Sequence, residues 1–366
     1  MLIDIIAGAR PNFIKIAPII EAIEAKQKSG ADMQYRLVHT GQHYDKKMSG
    51  DFFEQLGIPE PHHNLEAGSG TQAEQTGKIM IGYERLLLEK PCDLCIVVGD
   101  VTSTMACSIA AKKINNIKVA HVEGGIRSGD WTMPEEINRI VTDSISDYFF
   151  TTSEVANNNL RKTGVSDSRI FFVGNTMIDT LYKQMPRFRK PEAWDTYKLT
   201  EKGYIVMTLH RPANVDDPAK LRELINEIVS SSKGLPLIFP VHPRTAKMLQ
   251  SAGISADNLH TVDPLGYLEF NYLVMNAKAV VTDSGGITEE TTVMGIPCMT
   301  LRDSTERPET CTVGTNELLG TDPKSIPPAF ARLLDGTWKR GAIPEMWDGK
   351  TAGRIVEHIA ALFNVK

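Results

Sequence analysis

Short apolar runs alternate with longer amphipathic stretches along most of the chain, which is the pattern of parallel α/β sheets. In the first half the runs predict strands at Leu2–Ala7, Tyr35–Thr40, Leu94–Val98, Val119–Val122 and Tyr148–Thr151. Apolar positions at helical spacing predict helices over Ile14–Ala25, Gly77–Glu89, Ser103–Ile114 and Glu135–Ser146. Several strand runs are continuously apolar, as expected where both faces of a sheet are covered. A second series starts after Gly203, with strands predicted at Ile205–Leu209, Leu237–Val241, His260–Val262, Ala279–Thr282 and Cys298–Leu301. Helical patterns at Ala219–Ser232, Tyr267–Met275 and Ile287–Met294 separate them. Between the two series, "RFRKPEAWDTYKLTEKG" (Arg187–Gly203) is charged, contains proline and has no apolar period, so it reads as a linker or a surface excursion. The chain crossing is placed earlier, near "RIFFVGNTMID" (Arg169–Asp179). The expected fold class is therefore α/β, with two Rossmann-like doubly wound parallel-sheet domains facing a cleft. The expected boundaries are residues 1–170, joined by a C-terminal helix at 351–366, and residues 171–350.

Composition narrows the partners. The 366 residues are 42% hydrophobic and 23% charged, an ordinary globular balance. A formal net charge of −5 points away from nucleic acid and anionic membrane as partners, so an anionic ligand needs a local positive site. No apolar stretch approaches the ~20 residues of a membrane helix. "MLIDIIAGARPN" reads as a first strand and not as a signal peptide. Five cysteines suggest a reducing compartment, and a cytoplasmic protein is expected. Cys92 and Cys95 stand alone as a C-x-x-C and read as packed thiols.

Ligands of doubly wound sheets bind beyond the carboxyl ends of the strands, and polar residues collect there. "VEGGIRSGDWTMPEEINR" (Val122–Arg139) crowds Glu123, Asp130, Glu135 and Glu136 against Arg127 and Arg139. "VVGDVTST" puts Asp100 at a strand end, as a helix N-cap or a functional acid. "VVTDSGGITEE" (Val280–Glu290) is a strand, a Ser-Gly-Gly turn and a helix. Its glycines permit close approach and its helix N-terminus suits phosphate, with Glu290 offered to ribose hydroxyls; a plain turn capped by Ser284 is the alternative. "AGARPNFIK" places Arg10 in the first crevice and Lys15 one turn on, without the G-x-G-x-x-G of dinucleotide sites. "TLHRPANVDDP" ends a strand with His210 and Arg211, where a histidine can assist a departing diphosphate or simply cap the strand. "FPVHPRT" (Phe239–Thr245) is a second His/Arg pair with an equally good structural reading. In "LRDSTERPET", Arg302 and Arg307 either serve a diphosphate or pair locally with Asp303, Glu306 and Glu309. "GTQAEQTGK" is no Walker loop, because its spacing is wrong and Ile79 stands where Ser or Thr is required. Without an HExxH or a His- or Asp-rich cluster, no metal is expected.

The ordered set "GARPNFIKIAPI", "VVGDVTST", "HVEGGIRSGD", "PEEINR", "RIFFVGNT", "TLHRP", "PVHPR", "TDSGGITEE" and "RDSTERPET" resembles the non-hydrolysing UDP-N-acetylglucosamine 2-epimerases over nearly the whole chain. That resemblance implies a glycosyltransferase-B-like fold and reversible interconversion of UDP-N-acetylglucosamine and UDP-N-acetylmannosamine, by loss of UDP to a 2-acetamidoglucal and its re-addition. It implies no cofactor, a homodimer, and supply of cell-envelope or capsular polysaccharide precursors. By position, Asp100, Glu123 and Glu135 match the family's acids around the sugar, and His210 matches the histidine near the diphosphate. Arg10, Ser284, Gly285, Gly286, Glu290 and Arg307 match UDP-binding positions, Lys15 a nearby basic one, and Phe270 a residue beside uracil. The crowd of charges then becomes proton-transfer groups around a poorly acidic carbon, helped by a dry cleft and a raised carboxyl pKa. Which carboxylate takes the proton and which returns it stays open.

Some positions depart from the family pattern. Ala9 and Asn12 replace the Thr and Glu of the best-known members. Around the second-substrate site of allosteric members, Gln42 is kept but Asp45, the "GSGTQ" loop and Pro212 differ, which speaks against activation by substrate. "PEMWDGKTAGR" replaces the Asn-Pro-Tyr-Gly turn. Alternatives are a 2-epimerase of a related UDP-aminosugar such as a UDP-2,3-diacetamido uronic acid, a UDP-sugar glycosyltransferase of the same fold, a hydrolysing relative and a nucleotide-sugar sensor.

Overall fold

The computed structural model describes residues 1–41, 55–114, 116–241, 245–246, 248–249 and 253–365; the side chains of Arg10, Pro212 and Ala213 lie outside that description. The chain divides into two compact units, Met1–Lys183 with Glu345–Lys366, and Gln184–Pro344.

The first unit is built on strands β1 (Leu2–Ala7), β2 (Gln34–His39), β3 (His63–Asn64), β4 (Leu94–Val98), β5 (Lys118–Val122), β6 (Tyr148–Thr151) and β7 (Ile170–Phe172). All pair in parallel, in the order β3-β2-β1-β4-β5-β6-β7. Central strand β4 is buried at every residue, as its unbroken apolar run requires. The β1–β2 register sets Asp4 against Arg36, and these two buried residues form an ion pair at 2.6 Å that also takes the Tyr83 hydroxyl at 2.9 Å. A one-residue slip would strand both charges in the core, so the pair specifies the register. Cys92 and Cys95 are buried free thiols in the same layer, and burial pushes both pKa values up.

The second unit carries β8 (Ile205–Thr208), β9 (Leu237–Pro240), β10 (Leu259–Val262), β11 (Ala279–Thr282), β12 (Cys298–Thr300) and β13 (Asn316–Leu318). They too are parallel, in the order β10-β9-β8-β11-β12-β13. One face packs Leu221, Leu224, Ile225 and Ile228 of the helix Pro218–Ser231 and Phe330 of the helix Ile326–Leu334 onto Ile205, Met207 and Val281. The other packs Tyr204, Leu273 and Val274 onto Val206 and Val280.

Two doubly wound parallel α/β sheets are thus present, as the alternating pattern predicts. The edge strands β3, β7 and β13 were not foreseen. The division between units also falls later than the sequence-based boundary. β7 is hydrogen-bonded to β6, which keeps 171–183 with the first sheet. The chain returns to that unit at Glu345. There Trp347 is fully buried and donates to the Thr152 carbonyl at 3.0 Å. The Asp179 carboxylate accepts the first amides of the helix Thr351–Leu362, from Thr351 at 3.1 Å and Ala352 at 2.7 Å.

In both sheets the strand order reverses direction beside the first strand of the series, between β1 and β4 and between β8 and β11. Such switch points open a crevice at the carboxyl ends of the strands, where this architecture binds its ligands.

Candidate functional site

At the first switch point one neutral side chain stitches the two strand ends together. Asn12 is buried; its Oδ1 accepts the Gly8 and Ala9 amides at 3.2 and 3.0 Å, and its Nδ2 donates to the Val98 carbonyl at the end of β4 at 2.8 Å. One turn along the same helix (Arg10–Lys28), Lys15 pairs with Glu123 at the end of β5, Nζ to Oε2 at 2.7 Å. Gly99 is the floor of this pair. A Cβ there would lie 3.4 Å from Lys15 Nζ, 3.5 Å from Glu123 Oε2 and 3.8 Å from Asn12 Nδ2. Glu123 is buried, and its backbone is left-handed at φ +73°. That conformation is strained for a glutamate and persists only where the surroundings over-determine it.

Asp100 follows β4 and is bound by a buried arginine. Arg139 Nε and Nη2 both reach Asp100 Oδ2, at 2.9 and 2.6 Å, while its Nη1 meets Glu136 Oε2 at 2.5 Å. Glu136 also accepts Ser128 and Gly129 amides at 3.0 Å. Burial works against the charge of Glu136, but these amides and Arg139 hold its pKa below the usual carboxylate value. It is a loop anchor. Its neighbour Glu135 is half-buried in the first turn of the helix Pro134–Ile145 and has no hydrogen-bond or ion-pair partner among the described residues. The helix itself is inverted: Glu136, Arg139 and Asp143 are buried and Ile137 is exposed. A polar stripe turned inward costs stability unless its members are paired, and Glu136, Arg139 and Asp143 each have a charged partner. Asp143 ends that stripe under the Gly124–Gly125 turn, where it accepts from Gly125 N at 3.0 Å and Arg127 Nη1 at 2.6 Å and meets the ring of His121 at 2.6 Å.

At the second switch point the stitching residue is an acid. Asp283, fully buried after β11, accepts the His210 and Arg211 amides that follow β8 at 3.0 and 2.9 Å, and Asn214 Nδ2 at 3.1 Å. Its Oδ1 lies 2.7 Å from His210 Nδ1, and the His210 side chain remains 63% exposed. Burial raises the Asp283 pKa, yet His210 and the donated hydrogen bonds bring it below the usual value, so the carboxylate stays charged. The imidazole is therefore held at Nδ1, with Nε2 turned to solvent. Ser284 occupies the N-cap position of the helix Gly285–Met294 but makes no side-chain cap bond, so the capping alternative does not hold and its hydroxyl is not spent on the helix. At Gly285 a Cβ would come within 2.6 Å of Glu306 Oε1, so a side chain there would displace the carboxylate that pairs with Arg302.

Two arginines follow β12 with different partners. Arg302 pairs with Glu306 at 2.6 Å in the local manner that was one of its two readings. Arg307 is buried and reaches back to Glu289 on the helix after β11, Nε to Oε1 at 3.0 Å. The next residue, Glu290, is buried and accepts the Tyr267 hydroxyl at 2.7 Å. Burial pushes its pKa up to about 7, with the neighbouring Glu289 adding to the rise and Tyr267 opposing it. Phe270 lies one turn beyond Tyr267 on the helix Tyr267–Asn276 and is half-buried.

Of the residues singled out from the sequence, Lys15, Asp100, Glu123 and Glu135 belong to the first cluster. His210, Ser284, Gly285, Gly286, Glu290, Arg307 and Phe270 belong to the second unit. The side chain of Arg10, the pair His242 and Arg244, and Gln42 with Asp45 lie outside the described residues. Missed were Asn12 as a strand-end stitch, Asp283 as its counterpart, and the pairing of Lys15 with Glu123 and of Arg139 with Asp100. The spacing of Glu136, Arg139 and Asp143 along one helix face carried part of that signal. Among the described residues no group of three or more His, Cys, Asp or Glu side chains could hold a metal ion, and no helix is long and apolar enough to cross a membrane.

Comparison with known proteins adds to this geometry. Residues 25–360 match the family described as UDP-N-acetylglucosamine 2-epimerase. A UDP-N-acetylglucosamine 2-epimerase of Methanocaldococcus jannaschii is 40% identical over 366 residues, covering 97% of this chain and 98% of that one. A UDP-2,3-diacetamido-2,3-dideoxy-D-glucuronate 2-epimerase of Pseudomonas aeruginosa is 38% identical over 99% of this chain and 100% of its own. Among solved structures, the Methanocaldococcus jannaschii UDP-GlcNAc 2-epimerase in complex with UDP-GlcNAc and UDP superposes with a TM-score of 0.87 at 39% identity, covering 99% and 100% of the two chains.

Proposed function

The chain belongs to the UDP-N-acetylglucosamine 2-epimerase family, and we propose that it interconverts UDP-N-acetylglucosamine and UDP-N-acetylmannosamine. A carboxylate removes the C2 proton while the C1–O bond breaks, UDP leaves with the bonding electrons, and a C1=C2 double bond forms. On return a UDP oxygen attacks C1 and a carboxylic acid delivers a proton to the opposite face of C2. The route consumes no nicotinamide and no metal.

The first unit would carry the proton transfers. Asp100, Glu123 and Glu135 are the candidates, and the observation that most supports the reading is their arrangement. Two of them are clamped by Lys15 and Arg139, and the third is partnerless among the described residues. A general base and acid need this combination of fixed position and an uncommitted oxygen. The second unit would hold UDP. The amides of Gly285 and Gly286 and the Ser284 hydroxyl suit the diphosphate at a helix N-terminus. Arg307 would join them, and Arg10 and Lys15 would be further substrate-binding residues. His210 Nε2 would donate to the leaving diphosphate, Glu290 would bind ribose hydroxyls, and Phe270 would lie beside uracil. A cytoplasmic homodimer supplying cell-envelope or capsular polysaccharide precursors is part of the same proposal.

Incubation with UDP-N-acetylglucosamine in D2O, followed by proton NMR, tests the reaction. The reading expects UDP-N-acetylmannosamine carrying deuterium at C2 with nothing else added; a substrate that stays intact and unlabelled would remove it. One observation favours a second reading, epimerisation of UDP-2,3-diacetamido-2,3-dideoxy-glucuronate: the Pseudomonas relative is nearly as similar, at 38% against 40%. Labelling of that nucleotide alone would move the substrate and keep the mechanism.

A further inference from the structure

His121 lies on β5, two residues before Glu123, and is fully buried. Its Nε2 is 2.8 Å from the Gly99 carbonyl oxygen and its Nδ1 is 2.6 Å from Asp143 Oδ1. A carbonyl oxygen only accepts hydrogen bonds, so Nε2 carries a hydrogen. Asp143 accepts at its other oxygen from the Gly125 amide and from Arg127, at 3.0 and 2.6 Å. Arg127 pairs with this carboxyl and, with the Gly125 amide, favours its charged form without any help from the ring. It therefore accepts at Oδ1 as well, and Nδ1 carries the second hydrogen. A neutral ring has one N–H and would leave one of the two buried acceptors facing a lone pair.

We infer that His121 is held as an imidazolium whose two hydrogen bonds position the turns bearing Asp100 and Glu123. Through Nε2 it fixes the Gly99 carbonyl, immediately before Asp100. Through Nδ1 it fixes Asp143, which holds the Gly125 amide two residues beyond Glu123. The strained backbone of Glu123 is thereby tied on both sides, since its own amide donates to the Phe150 carbonyl at 2.8 Å. Gly125, at φ +82°, fits only without a side chain: a Cβ would lie 2.3 Å from the Ala156 carbonyl oxygen. The charged groups around the ring are Asp143 with Arg127 from the helix and loop side, and Glu123 with Lys15 along its own strand. Asp100 with Arg139 stands beyond Gly99. His121 touches none of the carboxylates assigned to the sugar, so it is a positioning residue, and its role in turnover rests on the epimerase reading.

Nitrogen NMR of protein labelled at the histidine ring tests the charge without any substrate. At neutral pH the His121 signals should show both nitrogens protonated, and a neutral-ring signal would overturn the inference. Asp143→Asn should convert that signal to a neutral tautomer; an unchanged imidazolium would remove Asp143 as its cause. His121→Gln keeps one donor and no charge. It should lower kcat by ~10-fold or more while KM and UDP affinity stay within roughly 2-fold. Full kcat in that variant would overturn the positioning role. If wild-type protein turns over no UDP-aminosugar yet shows the imidazolium, the reaction assignment fails and the brace stands; a neutral ring in an active epimerase is the converse. Should His121→Gln fail to fold, Asp143→Asn and the wild-type spectrum still decide.

Discussion

Two switch points on similar sheets are stitched in the same manner by different chemistry. Asn12 and Asp283 are both buried, both follow a strand that borders the reversal of strand order, and both collect backbone amides of a strand-end turn. Asn12 also donates, closing on the Val98 carbonyl, and carries no charge. Asp283 accepts throughout and spends its remaining lone pairs on His210 and Asn214. The difference follows from what each crevice holds. The first gathers carboxylates, and a further buried anion beside Glu123 would be repelled. The second orients an imidazole, which a charged acceptor at Nδ1 does and an amide does poorly. In the proposed function the same scaffold position would serve acid–base chemistry in one unit and anion handling in the other.

Exchanging the stitches should break this contrast. Asp283→Asn frees the His210 ring and its tautomer, so kcat should fall by ~10²-fold, with an altered pH–rate profile measured by coupled UDP-sugar assay. Asn12→Asp removes the donor to Val98 and adds a buried anion. Thermal or denaturant unfolding should show a loss of roughly 1–3 kcal/mol, larger at neutral than at acid pH. Burial also makes Glu290 of the second unit sensitive to pH. With the Glu290 pKa moved from 4.5 to about 7, the folded chain keeps a proton that the unfolded chain has lost over that interval. Its contribution to stability therefore falls as pH rises from 4.5 to about 7 and stays low above it. Glu290→Gln should raise Tm above that interval relative to the wild type and leave it nearly unchanged below. The smallest effect belongs to Ser284→Ala. N-cap serines are usually worth ~1 kcal/mol, but this hydroxyl caps nothing. Stability should stay within ~0.5 kcal/mol while UDP affinity measured by calorimetry drops a few-fold.

Much of the fold was legible because central strands such as Leu94–Val98 are unbroken apolar runs and their helices keep a clear period. β3, β7 and β13 were not, being edge strands of two or three residues whose side chains are mostly not buried, too short for any alternation to register. The strand order was equally silent, since the hydrophobic pattern is the same for either side of β1. The acids of the site were legible as polar residues at strand ends. Their pairings with cations were not: Lys15 and Glu123 are 108 positions apart, and only the β1–β4–β5 arrangement brings them together. Glu135 and Glu136 look alike in sequence, yet the turn of one helix leaves the first half-buried without a partner among the described residues and buries the second against Arg139. Burial raises the carboxyl pKa of Asp179 in the first unit and of Glu290 in the second, neither of them among the three acids singled out around the sugar.

In the proposed reaction the first cluster moves the C2 proton and the second holds UDP. Its most direct test is deuterium exchange at C2 in Glu123→Gln and Glu135→Gln, each started separately from the two epimeric UDP-sugars in D2O. The account predicts exchange slowed by ~10²–10⁴-fold from at least one epimer in each variant, with the starting epimer that loses it differing between the two. Wild-type exchange from both epimers in both variants would contradict it and place the proton-transfer groups elsewhere.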